Sequence, residues 1–200
     1  MLAASEVQAC PHPANDQVIC LIPEKNVYNL AIWRRGNVTH FPRWLTMDVE
    51  NEVLEKLEKS GCWYEHSHHE PVRTSQEAAE VRGVPLNTGV KAMVLKTDKG
   101  FVLGLVPADR RVNLEKVSSL EDSEDIRLAE REEVEEVTGT KIGGVPPFGH
   151  ETSMKTYIDP RILENEYVNF NAGKRTSSIK MKGGDLPRCI EKSFVEEIAS

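Results

Sequence analysis

Two nearly continuous apolar runs, residues 90–95 (VKAMVL) and 101–106 (FVLGLV), stand either side of Thr97-Asp98-Lys99-Gly100. Runs this short, broken by a turn, predict a hairpin whose strands are buried on both faces. A strand covered on both sides must sit inside a sheet that has layers above and below it. The flanking segments supply those layers. Residues 47–60 place Val49, Val53, Leu54 and Leu57 on one face, with acids and lysines opposite and Gly61 as the stop, so a helix is predicted there. Thr74 with Glu77 three residues on forms a capping signature for a helix that Ala78, Ala79 and Val81 continue and Gly83 ends. Residues 114–120 and 130–138 are also helical by pattern.

Further strands are predicted over residues 18–22, 27–33, 63–69, 154–158, 167–171 and 178–182, with a turn at Arg34-Arg35-Gly36-Asn37. Asp185 is placed to cap a final helix with Pro187 in its first turn, and Leu186, Cys189, Ile190, Phe194 and Ile198 as its inner face. Helices and strands mix without regular βα alternation. The expected class is therefore α+β, with a mixed, barrel-like sheet packed by helices. The domains expected are an extension at residues 1–46, partly flexible over its proline-punctuated start, and a folded domain at 47–200.

At 200 residues the chain needs no disulfide or metal staple. No apolar run approaches the length that spans a bilayer, so no membrane partner is expected. Residues 1–9 carry no basic residue and include Glu6, which does not read as a secretory signal. Cys10, Cys20, Cys62 and Cys189 form no CxxC pair and read as reduced thiols, with the cytoplasm as the default compartment. The net charge of −7 argues against a generally basic nucleic-acid binder, and DNA is not an expected partner. The charge is uneven: residues 115–136 alone carry −7, whereas residues 173–188 (GKRTSSIKMKGGDLPR) carry +4.

Lys91, at the entry of an apolar strand, must snorkel, find a carboxylate or stand at a pocket mouth. The loop Gly143-Gly144-Val145-Pro146-Pro147-Phe148-Gly149-His150 combines close-approach glycines with prolines that stiffen it and lack N–H groups. Its Gly144 and Val145 amides are expected to be free to stabilise an oxyanion, the plainer reading being a rigid surface turn. Asn171-Ala172-Gly173-Lys174-Arg175 reads as a turn that could border an anionic site. His66, His68 and His69 invite a metal, but neither HExxH nor CxxC accompanies them, and no metal or other cofactor is expected. GxSxG, GxxxxGK[ST] and GxGxxG are all missing from the sequence.

In order and spacing these pieces resemble the YbaK family, with its free-standing ProX-type proteins and the editing domain of bacterial prolyl-tRNA synthetase. The matching stretches are His69-Glu-Pro followed by Thr74-Ser-Gln-Glu-Ala-Ala-Glu, Val90-Lys91, Val106-Pro-Ala-Asp109-Arg-Arg-Val-Asn, Glu133-Val-Glu-Glu-Val-Thr-Gly139, the 143–149 loop, Tyr157-Ile-Asp159 and Asn171-Ala-Gly173. The resemblance covers residues 63–198. It implies a trans-editing deacylase that hydrolyses the ester of a mischarged aminoacyl-tRNA carrying a small amino acid, with tRNA(Pro) a frequent carrier.

By that resemblance Lys91 matches the active-site lysine, and Gly143 and Pro147 match a GxxxP loop whose amides, with Gly144 and Val145, hold the carbonyl oxygen. No side-chain nucleophile is implied; water, or the substrate's own hydroxyl or thiol, attacks. Pro147, Phe148, Gly149, His69, Thr74, Asn171, Gly173 and Ser178 become substrate-binding candidates. Lys174, Arg175, Lys180 and Lys182 become contacts for the acceptor end of the tRNA. Ala92 stands where many members carry Thr or Asn, and Ser178 where some carry Asp. An aminoacyl-tRNA synthetase is a second expected partner. The alternative reading is a non-catalytic tRNA- or synthetase-binding module, with Trp33, Phe41 and Trp44 beside Arg34, Arg35 and Arg43 as its docking surface.

Overall fold

The computed structural model describes residues 48–200 in full, and the backbone of three strands before them. The chain divides into two units, Met1–Met47 and Asp48–Ser200. In the first, β1 (Val18–Glu24), β2 (Val27–Arg34) and β3 (Asn37–His40) form an antiparallel meander with Val18 opposite Trp33 and Trp33 opposite Val38. The side chains proposed as a docking surface there lie outside the described residues.

The second unit starts with α1 (Val49–Ser60). Asp48 accepts from the Glu50 amide at its start, and Gly61 ends it in the left-handed region at φ 62°. Next come β4 (Tyr64–His68) and α2 (Ser75–Arg82). Thr74 caps α2 by accepting from the Glu77 amide at 3.1 Å, and the Glu77 carboxylate returns a bond to the amide of Arg73 at 2.8 Å. The central hairpin is β5 (Val90–Thr97) and β6 (Gly100–Pro107). Then follow α3 (Leu114–Glu121), β7 (Ile126–Leu128), α4 (Arg131–Thr138), β8 (Lys155–Ile158), α5 (Pro160–Leu163), β9 (Tyr167–Asn171), β10 (Ser177–Lys182) and β11 (Ser193–Val195).

Two sheets carry this unit, in the orders β4-β10-β9 and β11-β8-β6-β5-β7. β8 runs parallel to both β6 and β11, and the other pairings are antiparallel, so the fold is mixed α+β. A single parallel bridge, Gly89 to Asn169, links the sheets, which stay open and do not close a barrel. β6 is buried from Val102 to Pro107, as a strand covered on both faces must be. Its partner β5 is less covered over its first four residues, and that gap is the start of the cavity described below. Leu95, Val102, Val106, Val117, Tyr157 and Ile198 form the core beneath. Among the described residues no helix is long and apolar enough to cross a membrane.

The final helix expected from Asp185 onward is not formed. Residues Gly183–Cys189 make a 3-10 turn, and the chain then straightens into β11. The helical spacing still buries Leu186, Cys189, Ile190 and Ile198 but leaves Phe194 46% exposed. Tertiary hydrogen bonds decide the outcome. β8 offers a free parallel edge to residues 193–195, and the buried Asp159 carboxylate accepts from the amides of Ile198 and Ala199 at 3.1 and 2.8 Å. Local periodicity is a weak prior against an edge that satisfies several backbone groups at once.

Candidate functional site

A cavity of about 390 Å³ opens between α2, the first half of β5, the 142–145 loop and the end of β9. Thr74, Lys91, Gly143, Val145 and Asn171 border it, so five expected site residues meet in one hollow. Most of the remaining wall is apolar, including Val72, Ala78, Ala79, Met93 and Phe170. The wall contains no Asp, Glu, His or Cys; its charged groups are Arg73, Arg82 and Lys91.

Lys91 is half-buried on β5 and donates from Nζ to the carbonyl of Arg110. Desolvation pulls its pKa below that of an ordinary lysine; Asp109 opposes the shift and Arg111 adds to it. No carboxylate forms an ion pair with it among the described residues.

The loop is held by its carbonyls. Ile142 O accepts from Arg175 Nε and Nη2 at 3.1 and 2.6 Å, Gly143 O from Asn171 Nδ2 at 2.5 Å, and Gly144 O from the Gly173 amide at 2.9 Å. In a trans peptide the C=O and the following N–H point opposite ways. Anchoring three successive carbonyls on the β9–β10 turn therefore turns three successive amides away from it. The Gly144 amide is not free as expected, since it donates to Lys141 O at 2.8 Å and closes a tight turn. The Gly143 and Val145 amides have no partner among the described residues, and both residues border the cavity. The loop amides left without a partner are thus those of 143 and 145.

Other expected residues support this site from outside the cavity. Gly173 holds the loop through its amide. Phe148 is 3% exposed and meets Phe170 edge-on with ring centroids 5.5 Å apart, so it backs the wall from the core, a burial that stabilises the fold by about 2–3 kcal/mol. Pro147, Phe148 and Gly149 border a separate hollow of about 240 Å³ with Lys56 and His150. His69 and Ser178 form an outer layer. The Nδ1–H of His69 donates to Glu70 O at 2.8 Å, which leaves Nε2 to accept from the Ser178 hydroxyl at 2.6 Å.

The basic tract is mostly engaged. Lys174 binds Glu50 at 2.7 Å and Asp48 at 3.3 Å, and Lys180 binds Glu65 at 3.2 Å and lies over the Tyr167 ring. Arg175 anchors Ile142, and Lys182 is exposed without a partner among the described residues. The histidine cluster has a different partner from the ones its sequence suggests. His66 and His68 place Nε2 at 2.9 and 3.1 Å from Oε1 of the buried Glu50. Ser177 donates to the same oxygen and Lys174 to the other. Burial raises the Glu50 pKa, but hydrogen bonds from Lys174, Ser177 and His66 and the Lys174 charge outweigh it and hold the carboxyl at about 2. With an ammonium on one oxygen and the Ser177 hydroxyl and the His66 ring on the other, this group is a stitch between α1, β4 and β10. Cys62 and Cys189 are free thiols with Sγ atoms 3.7 Å apart. Burial pushes the Cys189 thiol up to about 12, so it offers no thiolate at neutral pH.

One residue of the cavity wall was not legible beforehand. Arg82, the last residue of α2, turns its guanidinium inward onto Ser178 and Asn171. Its sequence position reads as a cation favoured at a helix C-terminus, and no local signal distinguishes it.

The family model of the aminoacyl-tRNA editing domain matches residues 69–189, which contain every wall of the cavity. The chain belongs to the aminoacyl-tRNA editing domain family. The Multifunctional Ser/Thr-tRNA deacylase ProXp-y of Escherichia coli K12 is 30% identical over 167 residues, covering 80% of this chain and 93% of that protein. The proline–tRNA ligase of Caldicellulosiruptor bescii is 35% identical over 58% of this chain, a stretch equal to 19% of the ligase. The crystal structure of a candidate trans-editing enzyme for prolyl-tRNA synthetase superposes with a TM-score of 0.69 at 30% identity, over 77% of this chain and 98% of that one. These are a deacylase, a proline–tRNA ligase and a trans-editing enzyme, in line with the family the resemblance implied.

The loop also carries a pH-sensitive clasp. His150 donates from Nε2 to Pro146 O at 2.7 Å, a bond that the neutral ring already makes. Desolvation, against the Pro146 hydrogen bond and with help from the Lys56 charge, pushes its pKa down to about 4 from 6.5. A depressed folded-state pKa means that the unfolded chain binds more protons between those values. Its stabilisation is complete above pH 6.5 and is lost as pH falls to 4, by at most about 3 kcal/mol. Urea midpoints should fall across that window, and His150→Gln, which keeps a donor for Pro146, should flatten the slope. An unchanged slope in the variant contradicts this assignment.

Proposed function

We propose that this chain hydrolyses the ester that joins a mischarged, small amino acid to the 3′ end of a tRNA, in the cytoplasm where tRNAs are charged. The observation that carries the reading is the pair of unpartnered amides, Gly143 and Val145, bordering the same cavity as Lys91. Amides fixed by their neighbours' carbonyls cannot rotate away, so they stabilise a developing oxyanion without reorganising.

In this mechanism the ester carbonyl oxygen accepts from both amides. The Lys91 ammonium donates to the terminal ribose or to the ester. Water forms the new C–O bond, the bond from the acyl carbon to the ribose oxygen breaks, and the proton shed by the water ends on that ribose oxygen. The products are a free amino acid and tRNA. The cavity wall carries no carboxylate, imidazole or thiol to act as general base or nucleophile; its hydroxyls are those of Ser75 and of Thr74, whose oxygen caps α2. The acceptor end is assigned to the tract of Lys174, Arg175, Lys180 and Lys182, where Lys182 has the least engaged head group. Activity is assigned to residues 47–200, with residues 1–46 as an extension.

The test is a panel of tRNAs bearing seryl, threonyl, alanyl, cysteinyl and prolyl esters, with ester loss followed over time. At least one small acyl group should leave more than tenfold faster than in buffer. Loss at the buffer rate on every tRNA contradicts the reading and leaves the non-catalytic binding module.

A further inference from the structure

Resting on that reading, the chemistry of the cavity wall specifies what kind of acyl group it holds. Arg82 donates from Nε and Nη2 to Ser178 Oγ at 2.9 and 2.7 Å, and from Nη2 also to Asn171 Oδ1. Ser178 is 2% exposed, and its own hydroxyl proton goes to His69. The guanidinium is thereby fixed on two sides. It has no ion pair among the described residues, and burial pushes its pKa down to about 10. Nη1 has no partner. No buried side-chain nitrogen or oxygen among the described residues lacks one, so Nη1 is not fully buried, on a residue that lines the cavity.

A guanidinium only donates. The group that meets Nη1 must therefore bring an acceptor lone pair. The neighbouring wall is made of Ala78, Ala79, Val72 and Phe170, which offer shape but no polarity. An alkyl acyl group placed there displaces water from Nη1 and returns nothing, and an unmade bond at a charged donor is costly. A hydroxyl oxygen replaces that water. Sites built to bind a hydroxyl reject the analogue that lacks it far more strongly than apolar pockets reject a size change.

We propose that Arg82 is the specificity-determining residue of this site, its Nη1 donating to a side-chain hydroxyl oxygen of the acyl group, so that seryl and threonyl esters are preferred over alanyl and valyl esters. Threonyl and valyl groups have the same shape, so their ratio isolates the hydroxyl. The orientation of Arg82 depends on Ser178, which makes Ser178 a positioning residue for the same reading.

The experiment measures binding, by calorimetry, of adenosine carrying a threonyl, valyl, seryl or alanyl group through a non-hydrolysable 3′-amide. The full chain is compared as wild type, Arg82→Met and Arg82→Lys. Wild type should bind the threonyl over the valyl analogue, and the seryl over the alanyl, by roughly tenfold to a hundredfold. Arg82→Met should bring both ratios to within about twofold of one, and Arg82→Lys should keep part of the preference. Each ratio is internal to one variant, so a general loss of affinity cancels. If Arg82→Met does not fold, a ratio in Arg82→Lys equal to that of wild type overturns the proposal. Equal binding of threonyl and valyl analogues by wild type also overturns it, as does an undiminished ratio in Arg82→Met. A wild type that prefers the hydroxylated analogues here yet hydrolyses no ester in the panel contradicts the proposed function and leaves this inference standing.

Discussion

Lys91→Ala is expected to hydrolyse its preferred ester about 10²- to 10³-fold more slowly than wild type, with the fold intact. The group removed is the one cation on β5 that borders the cavity beside the free loop amides. In a largely apolar, partly closed site a positioned charged donor contributes about 3–4 kcal/mol to the transition state. Stability should change little, because removing a half-buried ammonium also removes its desolvation penalty; melting temperatures of the two proteins check this. Lys91 acts as an ammonium, and its pKa lies below that of an ordinary lysine. Activity should therefore fade on the alkaline side earlier than a lysine at 10.5 dictates. A rate in Lys91→Ala within threefold of wild type contradicts the role assigned to it.

Gly144→Ala is expected to lose about 10²-fold in kcat by displacing the loop, although Gly144 itself touches no substrate. A Cβ at this position meets the Gly173 carbonyl oxygen at 2.9 Å, its carbon at 3.2 Å and Lys141 O at 3.3 Å. All three are backbone atoms and cannot swing aside. The loop must move, and the bond from the Gly173 amide to Gly144 O goes with it. A shift of about 1 Å at a positioned donor is worth about 10² in rate. The stability loss should be about 1–3 kcal/mol, as for other overpacked sites. Gly184→Ala is the matched control, since a Cβ there meets nothing within 4 Å. Deacylation rates and urea midpoints of the two variants separate the outcomes. Gly144→Ala with the rate of Gly184→Ala means that the loop is not held as described.

What the sequence discloses depends on how far apart the interacting residues lie. The capping of α2 by Thr74 is a contact over three residues, and it forms as read, while Glu77 returns its bond to the amide of Arg73 and not to that of Thr74. The hairpin of β5 and β6 rests on two adjacent apolar runs, and it also forms. β7 and α5, with three and four residues, are too short for a periodic signal and were not anticipated. The last segment fails for the opposite reason. Its helical spacing is genuine, but Asp159, almost 40 residues earlier, and the edge of β8 draw it out straight.

The site follows the same rule. Lys91 and the glycine-proline loop could be singled out because lysine in an apolar strand and Gly-Gly-Val-Pro-Pro are unusual locally. Which amides of that loop are free could not be, because Arg175, Asn171 and Gly173, some 30 residues on, anchor its carbonyls. Arg82 was hidden in the same way, since its partners lie about 90 residues away on β9 and β10. Arg175 and Lys174 show the converse: a basic run that looks available for RNA is partly engaged in holding the loop and the start of α1.

The central claim is that the Gly143 and Val145 amides receive the carbonyl oxygen of the ester as it becomes tetrahedral. Amide proton shifts of the full chain, titrated with an adenosine 3′-phosphonate that mimics the tetrahedral species, test it most directly. The amides of Gly143 and Val145 should move strongly downfield, as donors to an anionic oxygen do, while Gly144, already bonded to Lys141, stays in place. Unmoved resonances at 143 and 145 with the analogue bound, or the largest shift at 144, contradict the account.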